Sequence, residues 1–202
     1  KNKKHCGHLQ YVSQDFCQYQ SDSTASVFEG GLHTPDWGIH RVDLVCDITA
    51  IPLSDKEFDV ILCSEVLEHL PDPMAALDEM TRLLKEDGLL ILTTPFASMV
   101  HMAPFYFYSG FSKYWFEYHL TRRGLTIEEL TPNGDWFALL RQEVRRLGYI
   151  ERSLKNWSWP LAYLYGLLGA IYFAIRKKHV LYELATLGWH CVARKASVRS
   201  SH

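Results

Sequence analysis

The 202-residue sequence has no CxxC pair among its five cysteines, no internal repeat, no low-complexity block and no large excess of either charge. Without paired cysteine motifs there is no zinc ribbon and no dithiol redox centre, and His5, Cys6 and His8 lack a matching second ligand pair. Cys46 and Cys63 sit in apolar strand patterns, which reads as buried free thiols in a reducing compartment. A net charge of −2 excludes a broad basic face for duplex nucleic acid, and leaves local contact with a short RNA end open. An initial Met and a signal-peptide pattern are lacking too, and Lys1-Asn2-Lys3-Lys4 runs quickly into structured-looking sequence. The expectation is a cytoplasmic protein whose chain begins further upstream.

What is present is an ordinary globular composition, 48% hydrophobic and 22% charged, in a chain long enough to bury one core. A single domain over residues 1–202 is expected. His8 to Asp15 reads as a short strand ending in an acid, and Gly30, Gly31, Pro35 and Gly38 mark a loop after it. Val42 to Asp47 is a second strand ending in an acid. Phe58 to Cys63 is a third, apolar except at Asp59 and read as suited to burial on both faces. Asp72 can cap a helix with Pro73 at its first position; Met74, Leu77, Met80, Leu83 and Leu84 keep helical spacing, and Asp87-Gly88 is the expected stop. Leu89 to Thr93 is a fourth strand, so strand, helix and strand form a right-handed crossover in a parallel, doubly wound sheet. Leu125 to Leu130 and Gly188 to Lys195 are further strands. Open α/β sheets bind ligands beyond the carboxyl ends of their strands, which marks the segment from Cys63 to His69 as an active-site edge.

The ordered set Cys46-Asp47-Ile48-Thr49-Ala50-Ile51-Pro52, Phe58 through Pro73, Ala76-Leu77, Glu79-Met80, Arg82-Leu83-Leu84-Lys85 and Gly88 through Pro95 resembles class I S-adenosylmethionine-dependent methyltransferases of the type 11 small-molecule group. The resemblance runs roughly from Tyr11 to Leu130 and takes in the last strand. It implies a Rossmann-like α/β fold with a doubly wound, mostly parallel sheet and an antiparallel last strand. It implies S-adenosyl-L-methionine as cofactor, with Asp15 on the ribose hydroxyls and Asp47 with Ile48 at the adenine. Cys63, Ser64 and Glu65 would line the wall near the methionine and sulfonium. One departure is plain: the family's glycine-rich loop belongs before Asp15, together with the first strand, and neither is there. An N-terminally truncated chain is expected, with a gap at mid-sheet between the strands ending at Asp15 and Cys63.

Glu65, Glu68 and His69 stand at i, i+3 and i+4, one face if that turn is helical. Three readings stay open for them: a helix-start charge pattern, His69 as a metal-free general base, or a Mg²⁺, Mn²⁺ or Zn²⁺ site with His101 as a further ligand. The pattern resembles the metal site of small-RNA 3′-end 2′-O-methyltransferases and of some quinone-pathway O-methyltransferases. His69 is taken as the catalytic residue, and no metal ligand is assigned. The aromatics from Phe105 to Tyr118 suit either core packing or the cover of an acceptor pocket.

Residues 136–187 read as an apolar helical insertion before the last strand. Within it Trp159 to Ile175 is about 17 residues long, the lower edge of membrane-spanning length. A single crossing would part the last strand from its sheet, so residues 157–178 suit a membrane-surface contact, a buried cap or a homodimer contact. The function expected is methyl transfer to a small or lipid-like acceptor at an oxygen, nitrogen or carbon atom. The alternatives are a metal-dependent RNA 2′-O-methyltransferase and a noncatalytic, methyltransferase-like binding module.

Overall fold

A computed structural model describes residues 7–17, 42–176 and 182–197. Two strands of two residues each, β1 (Gln14–Asp15) and β2 (Leu44–Val45), pair in parallel, with Asp15 opposite Val45. Four further strands form a separate sheet in the order β3-β4-β6-β5: β3 (Phe58–Ser64), β4 (Leu84–Pro95), β5 (Leu125–Asn133) and β6 (Gly188–Lys195). β3 and β4 are parallel, and β6 is antiparallel to both its neighbours. β3, β4 and β5 therefore share one direction, and β6 alone opposes them. Because β6 lies inside the sheet, two of its three ladders are antiparallel: the sheet is mixed rather than mostly parallel.

Among the described residues β1 and β3 do not pair; they belong to different sheets. Among the described residues β3 therefore pairs with β4 alone, and one of its faces meets the core. Ile61 packs on the core and Cys63 lies in it, whereas Val60 and Leu62 are about half exposed, at 49% and 46%. The expected burial of this apolar run on both faces is corrected accordingly: an apolar run does not by itself reveal whether a second layer covers it.

The helices follow local chemistry. Helix α1 (Pro73–Leu83) starts where Asp72 Oδ1 accepts from the backbone amides of Met74 and Ala75, with Pro73 at the position that needs no N–H. It buries Ala76, Leu77, Met80 and Leu83, the stripe that the spacing predicts. Its end differs from the expected Asp87-Gly88: the chain turns extended at Leu84, which pairs with Phe58, and Lys195 Nζ donates to the carbonyls of Thr81 and Leu84. A partner strand and a distant cation end this helix, and neither is local in sequence. Helix α2 (Lys113–Thr121) buries Phe116 and Leu120 against the same core. Leu67, Leu77, Leu84, Leu90, Leu92 and Phe116 are fully buried there, and each contributes roughly 1.5–3 kcal/mol of apolar transfer. Helices α3 (Trp136–Ser153) and α4 (Trp159–Ile175) lie between β5 and β6 in the chain and pack on each other.

Candidate functional site

The site is built where β3 ends. The backbone leaves the sheet at Ser64, whose hydroxyl is 2.7 Å from that of Thr93 on the next strand, and turns at Glu65 with φ of +52°. Glu65 N still donates to Thr93 O, 2.9 Å away. A single 3-10 turn, Leu67–His69, follows. A turn this short does not set Glu65 on the face of Glu68: Glu65 is exposed and outside the helical residues, while Glu68 is fully buried. The expected grouping of Glu65, Glu68 and His69 is corrected here. The groups that converge are Glu68, His69 and His101, whose ligating atoms all lie within 4.8 Å of one another.

Each member of this group is held by backbone. His69 Nδ1 lies 2.6 Å from the carbonyl oxygen of Phe105, and His101 Nδ1 lies 2.9 Å from that of Met99. A carbonyl can only accept, so both rings carry their proton on Nδ1, and when neutral each has its lone pair on Nε2. The two rings meet edge to face, with centroids 4.7 Å apart. Glu68 fixes the facing loop through its own carbonyl, which accepts from the amides of Phe107 and Tyr108. Neither of its carboxylate oxygens has a hydrogen-bond partner among the described residues, and His69 Nε2 is 3.7 Å from Oε1, beyond hydrogen-bond length. Burial pushes the Glu68 carboxyl up to about 7; its own backbone amide offsets part of that cost, and the negative charge of Glu65 adds to it.

The loop opposite is pinned tightly. Tyr106 Oη donates to the carbonyl oxygen of Ser98, and Gly110 sits so close to the end of β4 that a Cβ there would stand 2.1 Å from Phe96 O. Phe111 and Phe116 are buried in the core, while Phe107, Tyr108, Tyr114 and Tyr118 remain exposed. The aromatic segment therefore packs through one set of rings and leaves another set open. Positive φ at the non-glycine residues Cys17, Glu65 and Met102 clusters around this edge, where strained backbone commonly accompanies function.

The other expected residues lie on neighbouring strand ends. Asp15 closes β1, and its Oδ1 accepts from Cys17 N at 2.8 Å, which leaves its second oxygen without a hydrogen-bond partner among the described residues. Phe16, next to it, meets Phe105 edge to face at 6.2 Å, and Phe105 holds His69. Asp47 Oδ1 accepts from both the amide and the hydroxyl of Thr49, the geometry of a turn-closing acid, and Ile48 packs against the core. That segment is tied to α1: Glu79 Oε1 accepts from Ile51 N, and Arg82 donates to the carbonyls of Ile51 and Leu53 and to Asp55. The Arg82 hydrogen bonds hold the Glu79 carboxyl below its usual range. Cys63 is buried, its thiol pushed up to about 12 by desolvation and by the charges of Glu68 and Glu65. A thiol held protonated in this way is a poor nucleophile. Cys46 is half-buried, less covered than its apolar context predicts. His5 and Cys6 lie outside the described residues.

Sequence reasoning missed the Phe105 carbonyl and the full burial of Glu68. A backbone acceptor leaves no residue-type signal, and a carboxylate is ordinarily exposed. The Thr93 hydroxyl was within reach of sequence, since parallel pairing of the third and fourth strands sets it beside Ser64. A depression of about 560 Å³ lies elsewhere, along α3.

The donor set suits S-adenosylmethionine. Two strand-end carboxylates, each with one oxygen engaged locally, can accept from ribose hydroxyls and an exocyclic amine, and Ile48 offers an apolar face. A family model described as "Methyltransferase domain" matches residues 5–92. The ubiquinone biosynthesis O-methyltransferase of Glaesserella parasuis serovar 5 (strain SH0165) is 51% identical over 39 residues, which are 19% of this chain and 16% of that protein. Its counterpart in Pasteurella multocida (strain Pm70) is 36% identical over 69 residues, 33% of this chain and 28% of that one. The matched segments thus span less than a third of the length of these curated relatives. A solved SAM-dependent methyltransferase from Methanosarcina mazei aligns with a TM-score of 0.44 at 13% identity, over 77% of this chain and 68% of its own. The chain is thus similar, over residues 5–92, to a methyltransferase-domain family.

Proposed function

We propose that this protein transfers a methyl group from S-adenosylmethionine to a small or lipid-like acceptor presented at the carboxyl edge of β3, with His69 as the general base. The observation that carries the reading is the fixed tautomer of His69. With its Nδ1 proton on Phe105 O, the neutral ring offers Nε2 as the atom that takes a proton. The bound cofactor supplies an electrophilic methyl on a sulfonium. The chain supplies position: Asp15, Asp47 and Ile48 hold the nucleoside end, while Cys63, Ser64 and Glu65 form the wall at the end of β3. In-line displacement gains most of its rate from such positioning, and a base is needed only where the acceptor atom carries a proton. The relatives named above methylate oxygen in ubiquinone biosynthesis, so a hydroxyl on an aromatic or lipid-like molecule is the first acceptor class to test.

One observation favours a second reading. A buried carboxylate with both oxygens unpartnered among the described residues, beside two imidazoles with Nε2 lone pairs, is a donor set for a divalent cation. Glu68, His69 and His101 would hold it, and it would lower the pKa of an acceptor hydroxyl. Labelled S-adenosylmethionine offered with a catechol-type phenol, a polyprenyl-linked acceptor and a short RNA, each with and without EDTA, separates the readings. The expected outcome is transfer to the phenol or lipid that persists in EDTA. Transfer abolished by EDTA moves the assignment to the metal, labelling of the RNA 3′ end moves it to the RNA enzyme, and no transfer to any acceptor favours a noncatalytic module.

A further inference from the structure

Helix α4 is built inside out for a water-soluble surface. It buries its small residues, Gly166 and Ala170, and leaves Leu161, Leu164, Leu167, Leu168, Ile171 and Ile175 between 53% and 77% exposed. The inward fit is tight: a Cβ on Gly166 would stand 2.4 Å from Val144 O of α3. The exposed leucines are therefore a consequence of close packing through glycine and alanine. Rotating the helix to bury them would drive its bulk into α3. An apolar face of this extent on a folded surface marks a contact with something else.

Charge decides what that partner is. Between Glu151 and Glu183 the sequence has no acid, and it carries Arg152, Lys155, Arg176, Lys177 and Lys178, set on both flanks of an uncharged helix. Each helix end also joins a cation to an aromatic ring, Arg152 with Trp159 at 5.7 Å and Arg176 with Tyr172 at 5.2 Å, and Trp157 is almost wholly exposed. Arg141 and Arg145 line the depression on α3 with no ion-pair partner among the described residues. A second copy seated on this face would bring basic flank against basic flank, parallel or antiparallel, with no acid between Glu151 and Glu183 to offset the repulsion. Anionic lipid headgroups complement the same flanks, and Trp and Tyr rings at the ends of an apolar stretch suit the boundary between headgroups and chains. No helix among the described residues is long and apolar enough to cross a membrane. α4, about 25 Å long, would lie in the surface plane.

We infer that α4 docks the protein on an anionic lipid bilayer, with its exposed leucines among the acyl chains and the basic flanks on the headgroups. The inference does not depend on the methyltransfer reading, because the binding needs neither cofactor nor acceptor. The test is sedimentation of the whole chain with phosphatidylcholine vesicles, with and without phosphatidylglycerol. Wild type is expected to pellet with the anionic vesicles. The exposed double substitution Leu164→Glu with Leu168→Glu is expected to abolish pelleting without changing the far-ultraviolet circular dichroism. Arg176→Gln with Lys177→Gln is expected to weaken anionic binding about fivefold for each charge removed. Failure of wild type to bind either vesicle overturns the inference, as does binding that survives the leucine substitutions. A dimer in light scattering that those substitutions disperse, without vesicle binding, assigns the face to a second copy and overturns it too.

Discussion

His69→Asn is expected to lower kcat for methyl transfer by about a hundredfold or more, with the affinity for S-adenosylmethionine unchanged. Asparagine is the informative replacement because its amide can stand where Nδ1 stands, keep the hydrogen bond to Phe105 O that holds the loop, and still lack Nε2. His69→Ala removes both, so a loss in Ala that Asn restores would assign the residue to loop positioning. A base role has a further signature. If the acceptor is a hydroxyl, the deficit of the Asn variant shrinks as pH rises towards the acceptor's own pKa, because the proton no longer needs to be removed. Unchanged turnover in His69→Asn would take His69 out of the mechanism.

The second large effect concerns Glu68 and stability. Its carboxyl lies at about 7 in the fold against an ordinary 4.5, raised by burial. For an acid raised in this direction, the folded state keeps a proton that the unfolded chain has already lost. The contribution to stability is full below pH 4.5, falls as pH rises through the interval up to about 7, and is flat above it. Integrated, that is about 3 kcal/mol. The stability difference between wild type and Glu68→Gln, from urea titrations, is therefore expected to shift by about that amount between pH 4.5 and 7.5, wild type losing ground. A divalent cation on Glu68 and the two imidazoles would favour the carboxylate and reverse the trend. Added Mn²⁺ would then stabilise wild type more at pH 8 than at pH 5, and leave Glu68→Gln unmoved. A stability difference independent of pH would show that the carboxyl is not desolvated as described.

How far the fold was legible depended on whether its signals were local. Asp72-Pro73 announced the start of α1 because a cap needs only the residues it touches, and the limits of α4, Trp159 and Ile175, stand out as an uncharged run. The end of α1 was misread, since Leu84 turns extended through Phe58 and Lys195, both distant in sequence. β1 and β2 are much shorter than their apolar patterns suggest. Within the site, the spacing of Glu65, Glu68 and His69 predicts a shared face only for an α-helix. The three-residue 3-10 turn buries Glu68, leaves Glu65 exposed, and sets His101 beside them instead. His101 was readable only as a further ligand after the fourth strand, because what joins it to His69 is the path of the 95–111 loop.

Isothermal titration calorimetry of the protein with S-adenosylmethionine tests the central claim most directly. Saturable one-to-one binding is expected, weakened at least tenfold when the second, unengaged oxygen of the strand-end carboxylate is lost in Asp15→Ala, a cost of about 1.4 kcal/mol. Absence of binding, or binding that Asp15→Ala leaves unchanged, would contradict the assignment of the strand ends of β1, β2 and β3 to the cofactor.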